Sequence, residues 1–448
     1  MNAIKINVND SPRPVRTLTR AAGVVASGLV AACATFAIVA AMPAPAIAQT
    51  VAITGGKVYP VSGPPIENAT VVIVDGKITA VGANVTVPAG AATVDAKGKW
   101  VTPGLIIGAS ALGLVETNAD PGTNDTRAKG DHNVAAAFRA WEGLNPESVL
   151  FSPARNAGLT TAIALPGGGL ISGQAAAIDL INGATGKAIT RKAPVAMVAN
   201  LGSAQAADTT ARGELFMRFR EVLDDAKDYA TKKLAYERAG TREFAVGKLQ
   251  LEALQPVVSG KMLLLIGADR AGDIETALDI AAEYKLRIAI LGGAEAWKVA
   301  DKLAAAKVTV LTSGLDNLPT SFATLGTRQE NAGLLRKANV PVAIITGESE
   351  TFKARTIKQH AGNAVAYGMT WDDALRAVTL TPAEIYGIDG TVGSLAVGKD
   401  GNVVVWDGDP FEFATRAEKV FIKGKEVQGP GRQEELTERY KTPSAIKR

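Results

Sequence analysis

The hydrophobic and polar positions of the central region alternate between two patterns. Between residues 101 and 390, short apolar runs are separated by segments in which apolar residues recur every three or four positions, as in amphipathic helices. Ile274, Leu278 and Ala281, for example, fall on one helical face. The apolar runs predict strands at 101–107, 160–165, 175–181, 194–199, 262–266, 287–291, 307–311 and 340–345. These runs predict an α/β fold, a (β/α)8 TIM-like barrel, with a doubly wound sheet as the alternative.

Both flanks of this central region have the pattern of a β domain. Residues 70–81 form two β-rich runs joined through Asp75-Gly76, which is typical of a hairpin. Strand-like runs return at 402–406 and 419–422. We therefore predict a small β-sandwich domain built from both ends of the chain, residues 49–100 and 391–430, with the barrel at 101–390 between them. A polar tail is predicted at 431–448.

A charge-rich insertion interrupts the barrel pattern at residues 208–250. Apolar residues form one helical stripe in it: Leu215, Phe216, Phe219, Val222, Leu223, Ala226 and Tyr229. The stripe favours a helix packed on the barrel with a solvated charged face. A helix that binds a partner is the alternative.

The amino-terminal residues have the pattern of an export signal. Arg13, Arg16 and Arg20 precede an apolar run to about residue 42, and Ala46 and Ala48 provide small residues for cleavage. We expect cleavage after Ala48, export to a bacterial periplasm and no transmembrane span in the mature chain. A retained membrane anchor, or a lipid attached at Cys33, is the alternative.

Charge and residue counts exclude several classes of function. The chain has 48 basic and 44 acidic side chains, but residues 1–48 hold four of the basic and one of the acidic ones. The remainder therefore carries 44 against 43, or +1, which argues against a nucleic-acid partner. One cysteine and two histidines exclude an intrachain disulfide and any site that needs three imidazoles.

Several motifs resemble those of one family. Residues 98–106, Gly-Lys-Trp-Val-Thr-Pro-Gly-Leu-Ile, resemble the start of the first barrel strand in the amidohydrolase superfamily, in its imidazolonepropionase-like branch. Matching stretches follow in the family's order at 157–161, 293–297, 331–335, 361–365, 380–385 and 393–400. The resemblance covers about residues 51–430 and implies a hydrolase of carbon–nitrogen, non-peptide bonds.

The family's metal ligands are missing from the corresponding positions. The resemblance implies His-x-His after strand one, one His after each of strands five and six, and an Asp after strand eight. This chain has Ala109, Ala111, Gly267, Gly292 and Gly347 there. The bridging lysine of some members is also absent from strands three and four, where Asp179 is the one ionisable residue. Since Ala and Gly side chains cannot coordinate a metal, we expect no metal cofactor; zinc is expected only if the protein is a hydrolase after all.

Other candidates for chemistry lie in loops at the carboxyl ends of the predicted strands. The weak catalytic candidates are Glu348, Glu116 and His132, and further acids nearby are Glu350, Asp120, Asp125 and Asp131. A carboxylate cluster there could bind Ca²⁺ or Mg²⁺ or serve as acid and base, and solvated loop acids are the alternative. Gln174 and Ser110 are weak ligand contacts, and Ser110 lacks the setting of a triad nucleophile. His360 is expected on a helix as a structural hydrogen bonder, with catalysis as the alternative.

Two main functions are compatible with this pattern. The favoured one is an exported, non-catalytic protein of amidohydrolase type. It would bind a small molecule in the barrel mouth or accompany an active paralogue, as a homo-oligomer or a hetero-oligomer. The alternative is a hydrolase of carbon–nitrogen bonds with a non-standard site at the barrel rim. A structural role in the envelope through the 208–250 helix is a third possibility.

Overall fold

The computed structural model describes residues 50–128, 133–183, 185–202, 211–315, 318–347, 351–427, 429 and 432–441. The strands are β1 Thr50–Val58, β2 Ile66–Val74, β3 Lys77–Gly82, β4 Ala92–Asp95, β5 Trp100–Pro103, β6 Leu105–Ser110, β7 Leu159–Ala164, β8 Ile171–Asp179, β9 Thr190–Asn200, β10 Leu263–Ala268, β11 Ile288–Gly292, β12 Thr309–Ser313, β13 Val342–Ile345, β14 Val403–Trp406, β15 Ala417–Ile422 and β16 Lys425–Glu426.

The α-helices are α1 Phe151–Asn156, α2 Gly186–Ile189, α3 Arg212–Glu237, α4 Lys248–Val258, α5 Ala271–Tyr284, α6 Ala300–Ala305, α7 Asn331–Lys337, α8 Ile357–Ala366, α9 Trp371–Ala377, α10 Leu380–Ile385 and α11 Arg432–Tyr440. Short 3-10 helices occupy Pro121–Thr123, Ala140–Gly143, Ala296–Val299, Phe322–Thr324 and Thr351–Thr356. No helix among these described segments is both long and apolar enough to cross a lipid bilayer.

Strands β6 to β13 form the barrel, in the order of the sequence, and β6 packs against β13. The prediction of an α/β barrel with a separate β domain is therefore confirmed. Strand β8 differs from the expected pattern because it runs antiparallel to both β7 and β9. Residues 165–170, which join β7 to β8, are too few for the helical crossover that a parallel neighbour needs. The other seven strands are parallel, so their carboxyl ends share one face.

The second sheet joins the two ends of the chain. Its order is β16-β15-β14-β5-β1-β2-β3, and β4 also pairs with β1. Strand β14 pairs with β5, so that Val405 lies opposite Val101, and Trp406 Nε1 donates to Thr102 Oγ1 at 2.8 Å. The predicted hairpin at Asp75-Gly76 is confirmed: both residues have positive φ, which a two-residue hairpin of this type requires.

Helix α3 buries one side of the insertion. Its buried residues include Leu215, Phe219, Val222 and Tyr229. Asp225 is buried on the same helix, where its carboxylate accepts from Arg242 Nη2 and, at 2.6 Å, from the Ala245 backbone N–H. The apolar stripe thus packs against the protein, while the loop before α4 supplies the partners that the buried carboxylate needs.

The amino-terminal end of the barrel is closed by α10 and the turn that follows it. Ala383, Ile385, Tyr386 and Ile388 join the apolar cluster inside the barrel. The Tyr386 hydroxyl donates to the Gly108 carbonyl at 2.6 Å. An aromatic side chain thus extends into the barrel from this end and is hydrogen-bonded to the first barrel strand.

Buried charges connect the barrel to the second sheet at the same end. Arg191 of β9 donates to Asp179 of β8 and to Asp400, each at 2.7 Å. Lys423 pairs with Asp179 at 2.8 Å, and Lys77 pairs with Asp400 at 2.6 Å. We call these five residues the ion cluster. Burial alone would raise the pKa of Asp400, but hydrogen bonds from Lys77 and Arg191 outweigh burial and lower it.

Candidate functional site at the carboxyl end of the barrel

The side chains at the barrel mouth can be assigned from strand alternation. Five interior apolar residues form one layer: Val198, Leu265, Leu291, Leu311 and Ile345. Because side chains on a strand alternate between its two faces, the residue two positions further along each chain faces the mouth. Those residues are Asn200, Gly267, Gly293, Ser313 and Gly347. Of these five residues at the mouth, three are therefore glycine, while Asn200 supplies an amide and Ser313 a hydroxyl.

At Gly267, a family ligand position, a neighbouring side chain occupies the space. A Cβ atom added there would lie 2.8 Å from Asn200 Oδ1. Asn200 is itself fixed, because its Nδ2 donates to the Gly169 carbonyl and to Ser172 Oγ, each at 3.0 Å. Asn200 thus fills the place from which a ligand side chain would project.

Gly292, a second ligand position, is restricted in two ways. Its φ is +92°, a conformation that side-chain-bearing residues rarely adopt. An added Cβ would lie 2.5 Å from Asp269 Oδ1, and this oxygen accepts a hydrogen bond from the Ala294 backbone at 3.3 Å. Backbone and neighbour both favour glycine here.

The other three ligand positions also carry no donor. Ala109 is fully buried in the apolar interior of the barrel, and Ala111 belongs to the outer core. Gly347 follows β13 with φ +86°. Within the described ranges, no group of three His, Cys, Asp or Glu side chains is placed to hold a metal ion. The residues present at these positions do not fit the family's metal centre.

Glu116, a predicted catalytic candidate, holds loops together. Its carboxylate accepts from Asn145 Nδ2 at 2.9 Å, from Ser148 Oγ at 3.0 Å and from the Val149 backbone at 3.2 Å. Asp120 caps the 3-10 helix at Pro121–Thr123 through the Gly122 N–H. These contacts give both acids a structural task. Glu348, His132, Glu350 and Asp131 lie outside the described residues.

Ser110 and Gln174 are both buried and bonded to backbone. Ser110 Oγ donates to the Ile163 carbonyl at 3.3 Å and accepts from the Leu112 N–H at 3.4 Å. Gln174 Nε2 donates to the Ala136 carbonyl at 3.0 Å. Both side chains have partners within the fold, and their role as ligand contacts stays a prediction.

His360 contacts a serine that the sequence analysis did not single out. His360 is 3% exposed on α8, and its Nδ1 lies 3.0 Å from Ser313 Oγ. Ser313 is the last residue of β12 and belongs to the mouth layer. Strand alternation from Leu311 could have placed Ser313 at the mouth, but no spacing indicates His360, 47 positions further along the chain.

Two surface clefts lie away from this mouth. One, of about 320 Å³, is lined by Tyr59, Pro64, Asp373 and Arg376, among others. A second, of about 160 Å³, shares Asp373 and Arg376 and includes the start of β13. Four of their charged groups are paired with one another, because Arg336 donates to Asp373 at 2.9 Å and Arg376 to Glu384 at 2.6 Å. Both clefts lie toward the amino-terminal end of the barrel.

Comparisons with known proteins agree with the architecture. A solved amidohydrolase from Thermotoga maritima matches 85% of this chain and 100% of its own, with a TM-score of 0.77 and 27% identity. The model of the Amidohydrolase family matches residues 310–427. A curated relative, amidohydrolase tasK of Hapsidospora irregularis, is 24% identical over 395 residues. These matches confirm the resemblance to the amidohydrolase superfamily.

The other matches to this chain bear on its fold and on its length. Phenylurea hydrolase B covers 84% of the chain with a TM-score of 0.53, and molinate hydrolase covers 85% with 0.52, each at 18% identity. These two show the fold alone. The match to amidohydrolase tasK takes in 80% of this chain but only 39% of that protein. The activity of the longer relative therefore does not transfer directly.

Proposed function

We propose that this protein does not carry out metal-dependent hydrolysis and binds a small molecule at the carboxyl end of its barrel. The observation that supports this is the filling of two of the five ligand positions. Asn200 and Asp269 occupy the space beside Gly267 and Gly292, so regaining two ligands would require neighbouring side chains to move. Without a metal, the reaction that the family performs lacks its means of activating water.

The chemistry of the described mouth favours a small ligand with both polar and apolar parts. The mouth layer supplies the Asn200 amide, the Ser313 hydroxyl and backbone groups near several glycines. Below it lies the apolar layer that includes Leu291 and Leu311. Pockets of this type commonly orient a ligand through few polar groups over an apolar surface.

The protein then acts in the periplasm, as a homo-oligomer or beside an active amidohydrolase paralogue. Support for export comes from residues 1–48, with their basic start, apolar run and small residues at Ala46 and Ala48. Support for a companion role is the loss of the ligands from a chain that keeps the family's framework motifs. Sequencing the amino terminus of protein from the periplasm should give Gln49 first, and affinity purification under mild conditions should identify the partner.

Metal content tests the proposed function. Protein isolated with zinc, manganese and calcium available should hold less than about a tenth of an equivalent of each. It should also show no turnover of dipeptides or cyclic amides that a chelator abolishes. A stoichiometric metal together with chelator-sensitive turnover would overturn the proposal, because the ligands would then come from other residues.

A further inference from the structure

We propose that Ser313 is a nucleophile, that His360 is its base, and that together they transfer acyl groups without a metal. This activity goes beyond the binding role proposed above and uses the same end of the barrel. The observation is the contact between Ser313 Oγ and His360 Nδ1, 3.0 Å apart. A hydroxyl within hydrogen-bond reach of an imidazole is the arrangement that nucleophilic catalysis by serine requires.

The two side chains have the exposures that these roles need. Ser313 is partly exposed and faces the mouth, two residues beyond the interior Leu311. His360 is buried behind it. When Nδ1 is unprotonated, the Ser313 hydroxyl donates to it and the imidazole can accept its proton. A substrate can thus reach the oxygen, while the base is shielded by the fold.

The backbone around the pair fixes its geometry. Residues 313–315 turn tightly against α8, so that a Cβ added at Gly314 would lie 2.0 Å from the His360 carbonyl oxygen. Asn363, on the same helix, donates from Nδ2 to the Gly314 carbonyl. The Leu315 N–H donates to Ser313 Oγ at 3.3 Å. The pair is therefore positioned before any substrate binds, which lowers the entropic cost of the reaction.

The acyl transfer can be written with all atoms accounted for. Ser313 Oγ attacks the carbonyl carbon of an amide or ester as its proton passes to His360 Nδ1. The carbon–nitrogen or carbon–oxygen bond of the substrate then breaks, and the leaving group takes that proton from His360. Water attacks the acyl-serine, giving one proton to His360, and the carboxylic acid leaves as Ser313 Oγ regains a proton.

The exposed residues that follow β12 favour substrates with an apolar acyl group. The chain after β12 exposes large apolar side chains, with Leu318 at 73%, Phe322 at 90% and Leu325 at 62% of their accessible surface. Apolar surface of this kind commonly contacts a ligand or a partner. Because these side chains follow the end of β12, between five and twelve positions after Ser313, we expect an alkyl or aromatic acyl chain to lie along them.

Covalent labelling tests the assignment directly. A fluorophosphonate probe with a long alkyl chain should form one adduct, which peptide mass spectrometry should place on Ser313. Ser313→Ala should abolish it, and Ser321→Ala, at an exposed serine of the same loop, should leave it unchanged. His360→Gln should slow labelling by about 100-fold, the lower end for general-base catalysis. Labelling of Ser321 instead, or equal rates with and without His360, would overturn the proposal.

A cysteine pair keeps the test valid if His360→Gln does not fold. Ser313→Cys retains the packing of α8, and its thiol should react with iodoacetamide at least about tenfold faster than that of Ser321→Cys, because an adjacent imidazole favours the thiolate. Equal rates would contradict a basic environment at Ser313. Metal content is measured on the same samples. Protein that contains neither metal nor the fluorophosphonate adduct would overturn the Ser313 assignment alone. Protein that contains stoichiometric metal would overturn the proposed metal-free function.

Discussion

The two ends of the barrel are built from opposite kinds of residue. At the amino-terminal end, Arg191, Asp179 and Asp400 form buried ion pairs, and Tyr386 extends into the interior. At the carboxyl-terminal end, the family's ligand positions carry Ala or Gly. The barrel therefore carries buried charge where it joins the second sheet, whereas these positions at the opposite end, where active sites of such barrels lie, carry no metal-binding side chain. Asp179 is the one ionisable residue of the predicted runs 175–181 and 194–199, but strand β9 begins earlier, at Thr190, and adds Arg191 and Lys192 at this same end, away from the site.

This difference in residue type means that side-chain changes at the two ends of the barrel should affect the protein in different ways. A buried ion pair contributes little net stability by itself, but removing one partner leaves a charge that the interior does not solvate. A glycine at a family ligand position has no such partner, yet a side chain added at Gly267 would collide with Asn200, and one added at Gly292 with Asp269. Removing a charged side chain at the first end should therefore destabilise the protein, and so should adding a side chain at Gly267 or Gly292 at the second.

Arg191→Met should give the largest effect because it leaves two buried carboxylates with one lysine each. We expect the free energy of unfolding to fall by about 3 kcal/mol, the lower end of the range for breaking a buried pair. Denaturant-induced unfolding followed by circular dichroism measures this change. The control is Arg139→Met, which removes an exposed pair with Glu142 and should cost less than about 0.5 kcal/mol. Equal losses would mean that the ion cluster has no special role.

Gly292→His tests whether a family ligand can return to its position at the end of β11. The positive φ costs about 1–2 kcal/mol for a residue with a side chain, and the contact with Asp269 adds to it. We therefore expect a loss of roughly 2–3 kcal/mol in the free energy of unfolding, with no gain in zinc content. Gly272→Ala is the control, since it lies at an exposed position in α5 with ordinary φ and no described atom within 4 Å. Stable zinc binding by the histidine variant would contradict the inference that Asp269 occupies the space beside Gly292.

Much of the barrel could be predicted from apolar runs, but strand direction could not. Each of the eight predicted runs overlaps a barrel strand, because burial on both faces leaves a continuous apolar stretch. The reversed direction of β8 leaves no trace in its composition. Only the short connection at 165–170 indicates it, since six residues cannot form a crossover.

The candidate site shows the same limit more sharply. Ala109, Gly267 and Gly292 could be assigned from motif positions, because those positions are fixed by the strands that precede them. That Asn200 and Asp269 fill the neighbouring space depends on side chains from adjacent strands and loops. Ser313 and His360 come together only because α8 packs over the end of β12. Contacts between distant segments are set by packing, which local patterns do not encode.

Lowering the pH should reduce the free energy of unfolding through Asp400, and this is the smallest of the three expected changes in stability. Its pKa in the folded protein is lowered below the ordinary value of 3.8, so the unfolded chain binds the proton more tightly. The stabilisation is therefore complete above about pH 4 and is lost as the pH falls through the folded-state pKa. Unfolding free energies at pH 5, 4 and 3 should fall less steeply in Asp400→Asn than in the unmodified protein. Asp75→Asn, at an exposed hairpin turn, should show the same dependence of unfolding free energy on pH as the unmodified protein. If Asp400→Asn shows that same dependence, the acid sensitivity comes from other carboxylates.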